Sequence, residues 1–407
     1  MIDLLSGGGA QPWRDPRAYW QGMTDAVAHL PAPIAAVNLD ALRYNALDMM
    51  VRAGGVPVRV ASKSIRVREM LDALLRLPGY AGILAFTLAE ALWLAEDHDD
   101  IVLGYPTADR QALARLIADP AAASRITLMV DDEAQLDLVD AIAAPGSRPD
   151  IRVAIDADAS WRAPGLGHVG VRRSPLHDPS EVVRFAQAIT RRPGFTLVGL
   201  MMYEAQIAGQ PDSAGPGDPV IRWMQRRSAD ELLDRRGAIV AGLRDVAALE
   251  FVNGGGTGSL EVTSRDEAVT ELTAGSGLLA GHLFSHYRAF DPAPAAAFTL
   301  DVVRKPLADI ATVLGGGWVA SGPPVASRQP EPVWPTGLHT LGREGAGEVQ
   351  TPLQGAAAKR LSVGDRVWFR HAKSGELAER VVGYALVVGS ELVGTSPTYR
   401  GEGKAFL

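Results

Sequence analysis

Cysteine is absent from this 407-residue chain, and with it go disulfides, thiolate metal sites and a cysteine nucleophile. No uninterrupted apolar stretch reaches the roughly 18 residues that span a bilayer, so no membrane partner is expected. Basic residues form no block. The 40 Lys and Arg are interspersed with 47 Asp and Glu, giving a net charge of −7. Such a surface does not track a phosphate backbone, so nucleic acid is not an expected partner. The opening MIDLLSGGGAQPWRD lacks a basic start followed by an apolar core. No secretion signal is expected there, and the reading is a cytoplasmic protein.

What is present points to a sizeable folded enzyme. The length suits two domains. A hydrophobic share of 47% provides for a large core, and 43 Gly with 27 Pro imply many turns between short elements. From about residue 34 short apolar runs alternate with amphipathic ones. Strands are expected at 34–39, 56–61, 82–85, 101–103, 125–130, 151–155, 195–201 and 250–252. Helices are expected at 40–53 (with Asp40 as N-cap), 67–76, 87–95, 107–118 and 131–143. This beat implies parallel strands with right-handed crossovers, and its length favours an α/β fold with a closed (β/α)8 barrel over 30–290. The Pro/Gly-rich stretch 209–226 reads as a long loop over the barrel mouth. After it, strand-like segments at 298–303, 366–370 and 380–388 without helical periodicity predict a smaller β domain at 291–407, with residues 1–29 associated.

In a barrel of this kind chemistry sits at the C-terminal ends of the strands. Lys63 follows the strand at 56–61. A lysine at a buried strand end would lose hydration and present a free amine, as imine formation with an aldehyde cofactor requires; a solvated loop lysine is the plainer alternative. The segment NGGGTGS (253–259) follows the last strand. Its glycines let backbone N–H groups approach a phosphate, with Thr257 and Ser259 adding hydroxyls, and the AGSG turn (274–277) is placed to close the same cradle. Arg162, in DADASWR, could face an anionic oxygen or be an ordinary loop arginine. Tyr203, at the end of LVGLMMY with Glu204 and Gln206 beside it, could face a ring nitrogen or pack the rim. His371 is a lone histidine in WFRHAKSGE. His282 and His286 stand at HxxxH spacing without the Glu of a zinc-protease motif, and a structural role is the expectation for them.

Taken together, PIAAVNLDALRYN, RVASKS, DADASWR, MMYEAQ, NGGGTGS and AGSG, in this order over residues 33–395, resemble the fold-type III pyridoxal-phosphate enzymes. That is the class of alanine racemase, D-threonine aldolase and D-serine dehydratase, and the branch most similar is the amino acid deaminase/aldolase one. The resemblance implies pyridoxal 5'-phosphate carried on Lys63 as a Schiff base, and Arg162 on the cofactor's phenolic oxygen. It also implies Tyr203 near the ring nitrogen, and Gly256, Thr257, Gly275 and Ser276 around the phosphate. Two departures stand out. His371-Ala372-Lys373 replaces the relatives' His followed two residues later by Asp or Cys, which leaves a divalent metal open. The stretch after Arg162 also lacks the compact Arg-x-Gly turn.

The function implied is a lyase that cleaves β-hydroxy D-amino acids by retro-aldol chemistry, as D-threonine aldolase does, in a homodimer. D-serine-type dehydration and racemisation are the alternatives, and a non-catalytic pyridoxal-phosphate carrier is the rival of another class. With Lys373 in the second ligand position, the expectation is no metal. Lys373 then supplies the positive charge, and His371 serves as a hydrogen-bonding partner or base, or as a ligand in a site rebuilt with Glu376.

Overall fold

Eight parallel strands close into a barrel, in the order Val58–Ala61, Tyr80–Ala85, Ile101–Leu103, Ile126–Val130, Ile151–Asp156, Phe195–Met202, Phe251–Gly254 and Glu271–Ala274, the last pairing back onto the first. The computed structural model describes residues 2–7, 9, 11–163, 165–322, 325–373 and 375–407. They divide into two compact units, and the barrel strands all fall in the one formed by Met49–Lys63, Pro78–Ala274 and Phe406–Leu407.

The barrel strands are apolar and short because both faces are covered, as parallel strands require. Ile101–Leu103 and Ile126–Val130 are buried at every position. Val102, Met129, Ala154, Val198, Met201 and Phe251 pack together in the interior. Phe251 owes its place to Gly199, its register partner on the next strand. A Cβ at Gly199 would come within 2.3–2.6 Å of the Phe251 ring. Inside the same wall Arg59 is 3% exposed and is held by both oxygens of Glu271, at 2.8 and 2.7 Å.

Helix starts follow side-chain caps. Thr87 caps Leu88–Leu94 and Asp109 caps Arg110–Ala118. Asp132 and Gln135 form a capping box for Glu133–Asp140. At Leu39–Arg52 the cap is Asn38, whose side chain accepts the Ala41 N–H at 3.0 Å, and Asp40 already lies inside the helix.

Three segments depart from the expected series. Ile34–Asn38 is no barrel strand: it pairs antiparallel with Ala296–Leu307 and parallel with Gly383–Val388, and Glu271–Ala274 supplies the eighth barrel strand instead. Trp161–Ala163 and Gly167–Val169 form an antiparallel hairpin between the fifth and sixth barrel strands. The expected loop 209–226 ends early, because a 27-residue helix, Asp218–Arg244, begins inside it. Pro219 in its first turn needs no N–H there, so proline marks the helix start rather than a continuing loop.

The other unit comprises Met1–Asp48, Ser64–Leu77 and Gly275–Ala405. It is built on a nine-stranded, mainly antiparallel sheet. The helix Pro16–Ala26 lies on this sheet through Tyr19, Trp20 and Met23, packed with Ala36, Ala297, Trp368 and Val387. The Trp368 indole N–H donates to Thr24 Oγ1 at 2.9 Å.

Candidate active site

At the C-terminal end of the barrel strands four aromatic and cationic side chains meet. The first strand runs into a short turn, Ser62–Ser64, that carries Lys63, the one lysine in the sequence of this unit. Its Nζ donates to the Tyr105 hydroxyl at 2.7 Å. Tyr105 stands two residues past the third strand. The Arg173 guanidinium lies 5.9 Å from the Tyr105 ring centre and 5.7 Å from that of Tyr203, which follows the sixth strand. Burial pushes the Tyr203 phenol up to about 12, with Arg173 opposing, so it stays protonated and can donate. Lys63 itself is exposed, which corrects the expectation that a buried strand end strips it of water: the turn lifts it clear of the strand.

Two carboxyls stand at the ends of the neighbouring fourth and fifth strands. Asp156 closes the fifth strand and is 9% exposed. Burial pushes it up to about 7; the neighbouring Asp131 and Asp158 add to the rise and Arg173 opposes it. Asp131, after the fourth strand, is raised chiefly by burial. Gly104, Asp156, Asp158, Arg173, Met201 and Tyr203 enclose a small cavity of about 20 Å³. An open cavity of about 560 Å³ adjoins this region, lined by Asp158, Arg162, His168, Arg172 and Arg173 among others. Arg162 sits on the inserted hairpin, exposed. Sequence reasoning missed Tyr105, Asp131 and Arg173, each at or beyond a strand end or hairpin, where no short motif marks it, and it took in Asp156 only as the first residue of DADASWR.

The seventh strand ends in the glycine loop. Gly255 adopts φ +81°, which favours glycine. At Gly256 an added Cβ would lie 2.8 Å from Ala208 Cβ and 3.1 Å from Tyr203 Cε2, so the backbone there approaches Tyr203 as closely as it can. Thr257 is 5% exposed and its carbonyl accepts from Arg52. The Ser259 hydroxyl, expected to face a phosphate, is turned inward and donates to Glu204 at 3.0 Å.

Gly275, Ser276, His371 and Lys373 belong to the other unit. Ser276 opens a single helical turn, and its Oγ lies 3.1 Å from that of Ser64. His371 follows the strand Arg366–Arg370 and is 4% exposed. Burial, with Arg370 and His282 nearby, holds its ring down at about 3. A ring held neutral in this way is a poor base, and neither of its ring nitrogens meets a hydrogen-bond partner among the described residues. Lys373 is half-buried. His282 and His286 bound a 3-10 turn rather than an α-helix, so they share no face. His282 is buried and bonds the Gln329 carbonyl at 2.8 Å, and His286 is exposed. Glu376 Oε1 is taken by the Ser321 N–H at 3.1 Å. Among the described residues no three His, Asp or Glu gather as a metal site, and no helix is long and apolar enough to cross a membrane.

The family described as alanine racemase, N-terminal domain, matches residues 37–240. A 3-hydroxy-D-aspartate aldolase of Paracoccus denitrificans is 28% identical over 256 residues, 61% of this chain and 60% of that protein. A D-threonine aldolase of Arthrobacter sp is 26% identical over 261 residues, 62% of each. The matches therefore span about three fifths of the length of these curated relatives. In structure the chain is similar to the D-threonine aldolase from Filomicrobium marinum, with TM-score 0.77 and 19% identity over 92% of this chain and 96% of that one. It is also similar to the D-threo-3-hydroxyaspartate dehydratase from Delftia sp. HT23, with TM-score 0.71 and 20% identity over 92% and 99%.

Proposed function

This chain belongs to the alanine racemase N-terminal domain family, and on that premise we propose that it is a pyridoxal-phosphate-dependent lyase. It would cleave β-hydroxy D-amino acids between Cα and Cβ, giving glycine and an aldehyde. The observation that carries this reading is the barrel unit's one lysine, at a strand end beside Tyr105, in the same mouth as Arg173 and Tyr203. The residues fit the cofactor: Lys63 is exposed at the mouth of the barrel, and the protonated Tyr203 hydroxyl and the Arg173 guanidinium share that mouth.

When bound, pyridoxal phosphate supplies an electron sink that makes the bonds at Cα labile. The chain's own residues then do the rest. Lys63 would hold the cofactor and, with Tyr105 orienting its Nζ, would deliver a proton to Cα, while the substrate's hydroxyl proton leaves to a base, water included, as the Cα–Cβ bond breaks. Tyr203, kept protonated by burial, would be the residue that offers a hydroxyl to the ring nitrogen. In the barrel unit, Gly256 and Thr257 would be the residues that receive the phosphate. The resemblance gives the phenolic oxygen to Arg162; Arg173, 5.9 and 5.7 Å from the two tyrosine ring centres, is a second candidate for it.

The donor set around His371 does not fit a resident divalent metal. Its second position is Lys373, whose ammonium cannot ligate while protonated, so no step is routed through a metal. Within that pair Lys373 would supply the positive charge that a metal would otherwise bring. The three arginines lining the open cavity, Arg162, Arg172 and Arg173, favour a β-hydroxy amino acid with a second, acidic group over D-threonine. The working form is read as a cytoplasmic homodimer.

Product analysis tests this. The purified protein, with and without chelator, is offered D-threonine, 3-hydroxy-D-aspartate, D-serine and D-alanine. Glycine from the first two, unaffected by chelation, is expected. Pyruvate from D-serine as the main product would mean a dehydratase, L-alanine from D-alanine a racemase, and no turnover a carrier. Activity lost to chelator and restored by manganese or zinc would return His371 to the role of ligand.

A further inference from the structure

Behind the glycine loop lies a set of buried charges that the chemistry above does not use. Glu204 follows Tyr203 and is 1% exposed. Its Oε2 accepts the Gly255 N–H at 3.1 Å and Arg236 Nη2 at 3.2 Å. Its Oε1 accepts the Ser259 hydroxyl at 3.0 Å and the Thr263 hydroxyl. Arg236, 2% exposed, reaches on to Asp266 at 2.6 Å and to the Met202 carbonyl at 3.2 Å. One carboxylate thus ties the loop at three points, Gly255, Ser259 and Thr263, to the end of the sixth barrel strand.

These bonds decide what the loop shows to the outside. The Gly255 N–H is spent on Glu204, the Gly256 N–H on Ser259 Oγ at 3.2 Å, and the Ser259 N–H on the Gly256 carbonyl at 3.0 Å. The three glycines do not make a loose turn whose amides all reach for an anion. They make a turn wound around an internal acceptor. Glu204 and Asp266 bring two negative charges against the single positive charge of Arg236, so this group does not attract a phosphate by charge. Its contribution is shape.

We propose that Glu204 is the positioning residue of the phosphate-binding end: its carboxylate sets the form of residues 255–259 in which a phosphorylated cofactor is received. The proposal rests on the pyridoxal-phosphate reading. Glu204 touches neither cofactor nor substrate and acts through the loop. Removing its charge while keeping its size should therefore weaken the grip on the phosphate and leave the pyridine ring's contacts alone.

The test compares pyridoxal 5'-phosphate with pyridoxal, which lacks the phosphate, by titrating each into full-length protein and following cofactor absorbance. Glu204→Gln should lower affinity for pyridoxal 5'-phosphate about tenfold, the scale of one or two lost hydrogen bonds, and leave pyridoxal affinity unchanged. Thr263→Val, which keeps the volume and removes one donor, should show the same selective loss at smaller size and decides the matter if the Gln variant does not fold. A wild type that binds both compounds equally would sink the phosphate reading of the loop itself. A wild type that prefers the phosphorylated form, with variants that keep that preference in full, overturns the role of Glu204 alone. Tighter phosphate binding in Glu204→Gln would also overturn it, because the carboxylate would then act through its charge.

Discussion

Asp156 carries the largest electrostatic cost at the barrel mouth. Burial and the carboxyls of Asp131 and Asp158 push it up to about 7. Its unfolded value is that of an ordinary aspartate, about 3.9. Between those two values Asp156 holds more proton in the folded chain than in the unfolded one, so its contribution to stability is greatest below the unfolded value and falls as pH rises toward 7. The full effect is on the order of 4 kcal/mol at about 1.4 kcal/mol per unit. Asp156→Asn should flatten this slope and make the cofactor-free protein more stable than wild type at pH 8 by thermal unfolding. Equal slopes for the two proteins would show that Asp156 ionises as freely when folded as when unfolded. Tyr203 makes a second test at this scale. Tyr203→Phe keeps the ring against Gly256 and loses only the hydroxyl, so it should shift the absorption of the bound cofactor and slow turnover without releasing the cofactor. No change in either would return Tyr203 to packing.

Elements were legible from sequence where pattern and caps agreed. Thr87, Asp109 and Asp132 each start a helix within the expected segments, and the short apolar runs at 101–103 and 151–155 are strands in place. Ile34–Asn38 joins the other sheet, and nothing in its pattern says so: it is buried at all five positions, and a wholly buried run carries no period that says which sheet it joins. The helix Asp218–Arg244 was half hidden by the Pro and Gly that precede it. The site divides in the same way. Lys63, Tyr203 and the glycine loop could be found because each lies in a short motif at a strand end. Tyr105 stands as far past its strand as Lys63 does but in no such motif, and Arg173 is brought to Tyr203 only by the inserted hairpin and the chain after it. Within the barrel, Gly199 tests how tightly the interior is filled. Gly199→Ala would drive a methyl into the Phe251 ring, and overpacking of this kind should cost about 1–3 kcal/mol in a denaturant titration. An unchanged midpoint would mean that Phe251 moves aside freely.

Over the whole molecule the sequence divides its chemistry by unit. The chain has five lysines, at 63, 305, 359, 373 and 404, and only Lys63 is in the barrel unit. The other four, Lys373 among them, lie in the unit built on the antiparallel sheet. A cofactor that needs a lysine amine at the mouth of this barrel therefore has one residue to use within it. The most direct test of the account is peptide mapping of the full chain after incubation with pyridoxal 5'-phosphate and reduction with borohydride. The account predicts that the reduced cofactor is found on the peptide containing Lys63, and that Lys63→Ala carries none. Cofactor fixed to Lys305, Lys359, Lys373 or Lys404 instead, or to no lysine in the wild-type protein, would contradict it.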